Sequence, residues 1–544
     1  MQFFFLSVIL PWIISGIWAI LFLCIFVFLI SFFRYAFSRS RIASILAIVI
    51  FILGLFLRFQ WGYHTHRILY DEDRYLSYAV TFARFGKAVS IELATPTESI
   101  IGIPDSVARL TVPIYHSWIL KVFGYSEFNL YIASKAFNSL QTIFLFAFAF
   151  LLTSNIWLAL GSMLLYTLLP NTLYWSASLA LDNYFSTFLL IASTYLLWFA
   201  AKKSFPAGMG LLSSFFLLLF VRMEALVAIP FFMLFWKNAA KSISDSLFSK
   251  KTFHWIVVFC LIIFFRIILA SSLFGQKWCC AVGLPLEAFS TQYFIRHVLL
   301  NILSLFNQPE FPWSLSILAL IGMMTTPWNM GSGLFTWFLS FFLTYSSYYA
   351  GRFYSYEYSG SYGRYFLSLI PPLVLYVGFG ATYLLKLWIQ LPLGKKIMYG
   401  ASMVILLALS FYPTIRSYKK LVTESPFYTL VEQGPLTVHQ VLTDVILPIL
   451  PQNGILLTNL TAPVLLSGRT AVYIGSFLDD EKVALFIKSE MEKGIPVYSS
   501  PIDVCDVYPL RCAKISKLFN FTPIPLKDVP PSLGIVGLTL KQEP

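Results

Sequence analysis

Residues 71 to 74 read Asp-Glu-Asp-Arg: three carboxylates and a guanidinium in consecutive positions of "RILYDEDRYLSYAVTFARFG", residues 67–86. A carboxylate at an interface takes the proton of an attacking hydroxyl, and an arginine beside it holds a carboxylate or a phosphate. The set therefore offers general-base chemistry joined to anion recognition. A structural reading competes with it. Tyr75, Tyr78, Ala79 and Phe82 recur at helical spacing, so the acids open a helix, where carboxylates satisfy free amides. Sequence leaves both readings open for Asp71 and Glu72, and assigns Asp73 to capping or to a basic neighbour.

Further candidates lie along the chain. "IPDSVARLTVPIYHSWILKVFG" mixes Asp105, Arg109, Tyr115 and His116 with interfacial aromatics. Asp182 in "SLALDNYF" either caps a helix or positions substrate. Arg222 and Glu224 interrupt an apolar pair of segments, and intramembrane ions usually pair with each other, so a structural pair is expected there. Arg74, Arg352 and Arg364 are the candidates for phosphate; the alternative for Arg352 and Arg364 is snorkelling to headgroups. His64, His66 and His116 lie near the acids in sequence and, with Asp71 or Glu72, are the residues to hold a divalent metal ion if one is used.

The elements that must position these groups are written in the composition. The chain has 544 residues, 58% hydrophobic and 12% charged, about half the charged share of ordinary soluble domains, roughly 25%. Apolar runs long enough to cross a bilayer recur from Met1 to about Tyr412, without the alternation of a barrel. The expected fold class is a polytopic α-helical membrane protein with about twelve transmembrane helices. The net charge of +13 comes with short basic clusters around Arg39, Lys202, Lys237 to Lys251, and Lys395. These fit cytoplasmic loops rather than a nucleic-acid partner. Threading the chain on that rule puts residues 60–130 and 274–312 on the opposite, extracytoplasmic side.

Composition changes after about Ser417. "NGILLTNLTAPVLLSG", "TAVYIG", "GIPVYSS" and "LGIVGLTL" read as strands, and "DDEKVALFIKSEMEK" as a helix. The domain division is thus 1–414, transmembrane, with a large loop at 60–130, and 415–544, an extracytoplasmic α/β domain. Cys24 and Cys260 read as packing residues; Cys505 and Cys512, seven apart in that domain, form a candidate disulfide.

The string Asp71-Glu72-x-Arg74-Tyr75 resembles the D-E-x-R-Y element of membrane glycosyltransferases that use polyprenyl-phosphate sugars, the lipid A aminoarabinose transferases and protein O-mannosyltransferases of the C-type glycosyltransferase architecture. "TVPIYHSWILKVFGYSEF" is similar to the family's K-P-P-L-Y-Y-W and l-F-G segments at Pro113, Tyr115, Trp118, Phe123 and Gly124. "SGSYGRYFLSLIPPL" resembles its entry to a late helix. Thr111 and Val112 stand where the aminoarabinose branch has lysine and proline, and Leu110 where it has glutamate, which weakens lipid A as acceptor.

The resemblance implies a multi-pass enzyme of the plasma (inner) membrane. It would move a hexosyl or pentosyl group from a polyprenyl-phosphate-linked sugar to an extracytoplasmic acceptor: a glycolipid, a protein or a cell-envelope polymer. The chemistry of such a transfer makes Asp71 or Glu72 the candidate base and Arg74, Arg352 and Arg364 the candidates for the donor phosphate, with Asp105, Arg109, Tyr115, His116 and Asp182 expected around the substrate. No cofactor is implied with certainty; some members of the superfamily need a divalent ion. The competing class is a transporter or flippase of lipid-linked precursors. Transporters place charges at the midplane, often within repeats; here the acids cluster in one loop and no repeat is visible.

Overall fold

A computed structural model describes residues 2–62, 69–104, 109–239, 250–273, 290–307, 311–348, 364–423, 438–500, 509–526 and 534–541. The membrane part contains α1 (Leu10–Arg39), α2 (Arg41–Trp61), α3 (Leu69–Phe85), α4 (Thr111–Phe123), α5 (Glu127–Thr153), α6 (Ile156–Leu168), α7 (Pro170–Tyr174), α8 (Leu181–Lys202) and α9 (Phe205–Val221). There follow α10 (Ile229–Ala239), α11 (Lys250–Leu273), α12 (Thr291–Asn307), α13 (Trp313–Thr325), α14 (Trp328–Ser346), α15 (Ile370–Gln390) and α16 (Leu393–Thr423). Among the described residues six helices are long and apolar enough to cross a membrane, and the bent pair α6–α7 makes a seventh. The 60° bend has a local cause. Leu169, before Pro170, is extended (φ −69°, ψ 125°), as the proline ring requires of its predecessor.

The turns follow from short sequence signals. Ser40 alone separates α1 from α2, and its hydroxyl accepts from the Ala43 amide at 3.3 Å. Lys203 takes φ +47° and closes α8. At this end Lys202 and Arg39 both lie over the Tyr35 ring, 5.6 and 5.5 Å from its centre. From Asp182 to Lys202 α8 rises about 30 Å, the thickness of a hydrocarbon core. The molecule therefore has a basic face and, one bilayer away, a face carrying Asp182.

α8 is the central post, buried almost throughout. Its polar residues bond to α5: the Gln141 side-chain amide donates to Asn183 Oδ1 at 2.7 Å and to Thr187 Oγ1 at 2.6 Å. Such bonds hold helices together where apolar burial does not distinguish protein from lipid. α16, in contrast, shows its apolar side chains to the outside, as a lipid-facing helix does.

The last part carries α17 (Thr461–Leu466), α18 (Ile474–Asp479), α19 (Glu481–Glu492) and α20 (Pro509–Leu518) on a seven-stranded sheet of order β2-β1-β4-β3-β5-β7-β6. β3 (Ile455–Thr458) pairs in parallel with β4 (Thr470–Tyr473) and β5 (Val497–Ser499); β7 (Ile535–Leu540) runs antiparallel between β5 and β6 (Phe519–Ile524). The other two strands, β1 (Ser90–Ala94) and β2 (Ser99–Ile103), come from the 60–130 stretch, and β1 pairs with β4 through Leu93↔Val472 and Ala94↔Ala471. The sheet thus ties the first large loop to the C-terminal region.

Local structure departs from expectation in one segment. "TAPVLL" is the helix α17, not a strand; Pro463 lacks a ladder donor, and a distant carboxylate caps its first amides. The loops 60–130 and 274–312 contain α4 and α12. Cys279, Cys280 and Cys505 lie outside the described residues, as does the side chain of Cys512, so the candidate disulfide is not visible.

Candidate functional site

A helix turns about 100° per residue, so four consecutive side chains cannot face one substrate. At the start of α3 they separate. Asp71 is the exposed one: its side chain keeps 52% of its surface, and Oδ2 lies 3.4 Å from Arg364 Nη1. Arg74 and Tyr75, three and four positions on, return to the Asp71 side. Arg74 Nε donates to the Tyr78 hydroxyl at 3.0 Å. Its charge also reaches Glu92 of β1, whose pKa burial pushes up to about 7 against that attraction. Glu92 accepts from Ser476 Oγ across the sheet.

Glu72 turns into the protein and is fully buried. Its Oε1 accepts from Ser178 Oγ at 2.6 Å, the Leu179 amide at 2.7 Å and the Ala180 amide at 3.2 Å. This carboxylate fixes the segment that leads into α8, and its geometry is that of a positioning residue rather than of a base open to substrate.

Asp73 faces the C-terminal region. It accepts from the amides of Thr461 (3.3 Å) and Ala462 (3.1 Å), capping α17 from almost 390 positions away. Burial pushes its pKa up to about 8; the Ala462 amide opposes this and the nearby Glu127 adds to it. Beside it His439 Nε2 meets Glu127 Oε2 at 2.8 Å.

Arg364 precedes the 3-10 turn Tyr365–Ser368 that leads into α15. Its Nη2 donates to the Tyr365 hydroxyl at 2.8 Å, and its Cζ stands 4.7 Å over that ring. Arg222 lies over the same ring at 5.5 Å. Arg222 Nη2 donates to Asp182 Oδ1 at 2.8 Å, and Nη1 lies 3.4 Å from Glu224 Oε1. Tyr345 stacks obliquely on Tyr365, 4.9 Å between ring centres. The result is one chain of groups: Asp71, Arg364, Tyr365, Arg222, then Asp182 and Glu224. Among the described residues, Arg364 Nε, Arg222 Nε and Asp182 Oδ2 are buried with no hydrogen-bond partner. Such unfilled capacity is costly inside a protein and marks polar groups waiting for one.

Sequence reasoning treated Arg222 and Glu224 as a pair apart from the site, and did not single out Tyr345 or Tyr365. A signal was present. An apolar run of about 15 residues after Lys203 is enough to bring Arg222 back to the Asp182 face.

The remaining candidates divide. Arg109 Nη1 donates to the Tyr75 hydroxyl at 3.2 Å and its Cζ is 5.5 Å from that ring, which places it beside the Asp71 face of α3. Tyr115 and His116 are buried in α4. The Tyr115 hydroxyl donates to Ala133 O at 3.1 Å and its ring stacks on Trp18; His116 Nε2 is 2.9 Å from the Tyr184 hydroxyl. Both are buried in helix packing in this structure, His116 on Ser134 and Tyr184. His64, His66, Asp105 and Arg352 lie outside the described residues. Among those described, no three His, Cys, Asp or Glu side chains gather as a metal site.

The sequence matches no family model and no curated protein. Its structure is similar to solved ones. ArnT from Cupriavidus metallidurans, bound to undecaprenyl phosphate, superposes with a TM-score of 0.52 at 11% identity, over 92% of this chain and 98% of that one. The apo form of the same protein gives 0.51 at 11% identity, over 93% and 98%. An oligosaccharyltransferase from Archaeoglobus fulgidus gives 0.47 at 10% identity, over 91% and 74%. At such identity the likeness is one of fold. The chain has the C-type glycosyltransferase architecture: a polytopic helical membrane part with a C-terminal region built on a sheet.

Proposed function

We propose that this protein is an integral membrane glycosyltransferase. It transfers a sugar from a polyprenyl-phosphate-linked donor to an acceptor hydroxyl on the extracytoplasmic face of the plasma membrane. The observation that carries this reading is the Asp71–Arg364 contact, an exposed carboxylate beside a guanidinium, in the architecture of a protein solved with undecaprenyl phosphate. The side assignment rests on the basic face around Lys202 and Arg39 being cytoplasmic.

The chemistry uses both halves of that contact. Asp71 accepts the proton of the acceptor hydroxyl as its oxygen bonds to the anomeric carbon. The bond from that carbon to the phosphate oxygen breaks, and the electron pair leaves with polyprenyl phosphate. Arg364, with Arg222 behind Tyr365, stabilises the charge gathering on the phosphate. Asp182 and Glu224 hold Arg222 in place. Glu72 sets the start of α8 and so the position of Asp182. The donor sugar and the acceptor class, glycolipid, protein or envelope polymer, are what the test must name.

That test is mass analysis of lipids and envelope glycans from cells with and without the protein. Its loss should leave one lipid-linked sugar in excess and one acceptor undecorated. Unchanged lipid-linked sugars together with unchanged glycans would sink the reading. A precursor trapped on the cytoplasmic leaflet would point to transport instead.

A further inference from the structure

A cavity of about 350 Å³ opens at the basic face, at the end of α8 opposite Asp182. That is within the range of ligand pockets, roughly 300–1,000 Å³. It lies between α1, α8 and α9, and its lining is graded. Lys202, Ser31 and Ser204 stand at the rim, whereas Phe28 and Trp198 wall the interior. Along α1 the lining reaches from Ser31 back to Cys24, a depth of about 10 Å. Such a slot takes a molecule with a polar head and an apolar tail.

The rim is cationic and unneutralised. Lys202 Nζ rests 5.6 Å over Tyr35 and 5.7 Å over Trp198, and among the described residues it has no carboxylate at ion-pair distance. The Arg39 guanidinium lies over the same Tyr35 ring. Deeper in the slot, about two helical turns from Lys202, is Tyr195. The residue is 1% exposed, and among the described residues its hydroxyl has no hydrogen-bond partner. A buried hydroxyl left unpaired beside a cavity calls for an acceptor from the occupant.

We infer that this slot binds an anionic glycerophospholipid of the leaflet at the basic face. Its phosphate meets Lys202 and Arg39, an ester carbonyl accepts from Tyr195, and one acyl chain runs along Phe28. The buried hydroxyl decides between lipid sources. A glycerophospholipid carries ester carbonyls just below its phosphate; a polyprenyl phosphate has none. Anionic headgroups are drawn to basic pockets between transmembrane helices by the same charge rule that orients the chain.

The test uses the full-length protein, reconstituted in bilayer discs of phosphatidylcholine containing phosphatidylglycerol and then released for native mass spectrometry. The wild type should retain one phosphatidylglycerol in preference to phosphatidylcholine. Lys202→Gln should lower that retention about fivefold, the worth of one lysine near an anionic surface. Tyr195→Phe should lower it severalfold, the worth of one hydrogen bond. Thermal unfolding of each variant checks that the fold is kept, and Lys202 is exposed, so its replacement leaves the core untouched. Equal retention of phosphatidylcholine, or retention unaffected by both substitutions, would overturn the proposal. So would displacement of phosphatidylglycerol by equimolar undecaprenyl phosphate.

Discussion

Asp182 and Arg222 meet at 2.8 Å although 40 positions separate them. The reason is a helical hairpin. α8 descends from Asp182 to the turn at Lys203, and α9 returns to end at Arg222, whose extended backbone (φ −150°, ψ 146°) stops the helix there. Two apolar segments thus deliver opposite charges to one membrane face. With the Arg364 and Asp71 pair alongside, that face carries the groups a displacement at a phosphate-activated carbon requires.

Asp71→Asn keeps the shape of the side chain and removes its basicity. Sugar transfer should fall by about 10²–10⁴-fold, the range for loss of a general base. Retention of donor lipid should change little, because the proposed mechanism gives the phosphate to arginines. Near-normal transfer by the folded variant, measured with purified protein and lipid-linked sugar, would remove Asp71 from the mechanism.

Glu72 behaves differently if it positions α8. Glu72→Gln keeps an acceptor oxygen for Ser178, Leu179 and Ala180, and should retain most of the transfer rate. Glu72→Ala leaves the Ser178 hydroxyl and the Leu179 amide without this acceptor, while the Ala180 amide keeps Ser178 Oγ at 3.0 Å; at about 1–3 kcal/mol for each group that water does not reach, it should lower the unfolding temperature. The idea fails if Glu72→Gln unfolds normally yet loses as much turnover as Asp71→Asn.

The contrast between these neighbours shows where sequence stops. Apolar runs and basic turns mark the spanning helices, because hydrocarbon thickness acts on every segment alone. The "DEDR" string marks the candidate site in the same way. The partners of each acid are another matter. Glu72 meets Ser178, Asp73 meets Ala462, and β1 meets β4 across some 380 positions. Local periodicity carries no record of such pairings, so the hairpin of β1 and β2 and the capped α17 emerge only in three dimensions. Arg222 lay between these cases: its topology was legible, and its partner was not.

Arg364→Ala should weaken donor binding and also slow transfer, since phosphate charge grows as the bond breaks; the loss of rate should be on the order of 10²-fold or more. Arg222→Lys retains charge but loses the fork that reaches both Asp182 and Glu224. It should lower kcat more than it raises the KM for donor. Unchanged kinetics in both variants would place the phosphate elsewhere, and scintillation binding of radiolabelled polyprenyl phosphate would separate binding from rate.

The last prediction concerns Asp73, which joins α3 to the C-terminal region. Its folded pKa is pushed up to about 8 by burial, whereas the unfolded chain releases the same proton near 3.9. Between these values the folded state holds the proton and the unfolded state does not. Stability from this group is therefore present at low pH and is lost as pH rises from about 4 to 8, levelling off above. Glu127 and His439 face the same carboxyl, so the wild-type profile mixes three groups, and the comparison with Asp73→Asn isolates one. The variant cannot ionise at this position and should show a flatter decline over that interval. Amide exchange at Thr461 and Ala462, followed from pH 5 to 9 with correction for intrinsic rates, is the direct measure. Protection that rises with pH in the wild type, or that falls equally in Asp73→Asn, would show that another group governs the attachment of α17 to α3.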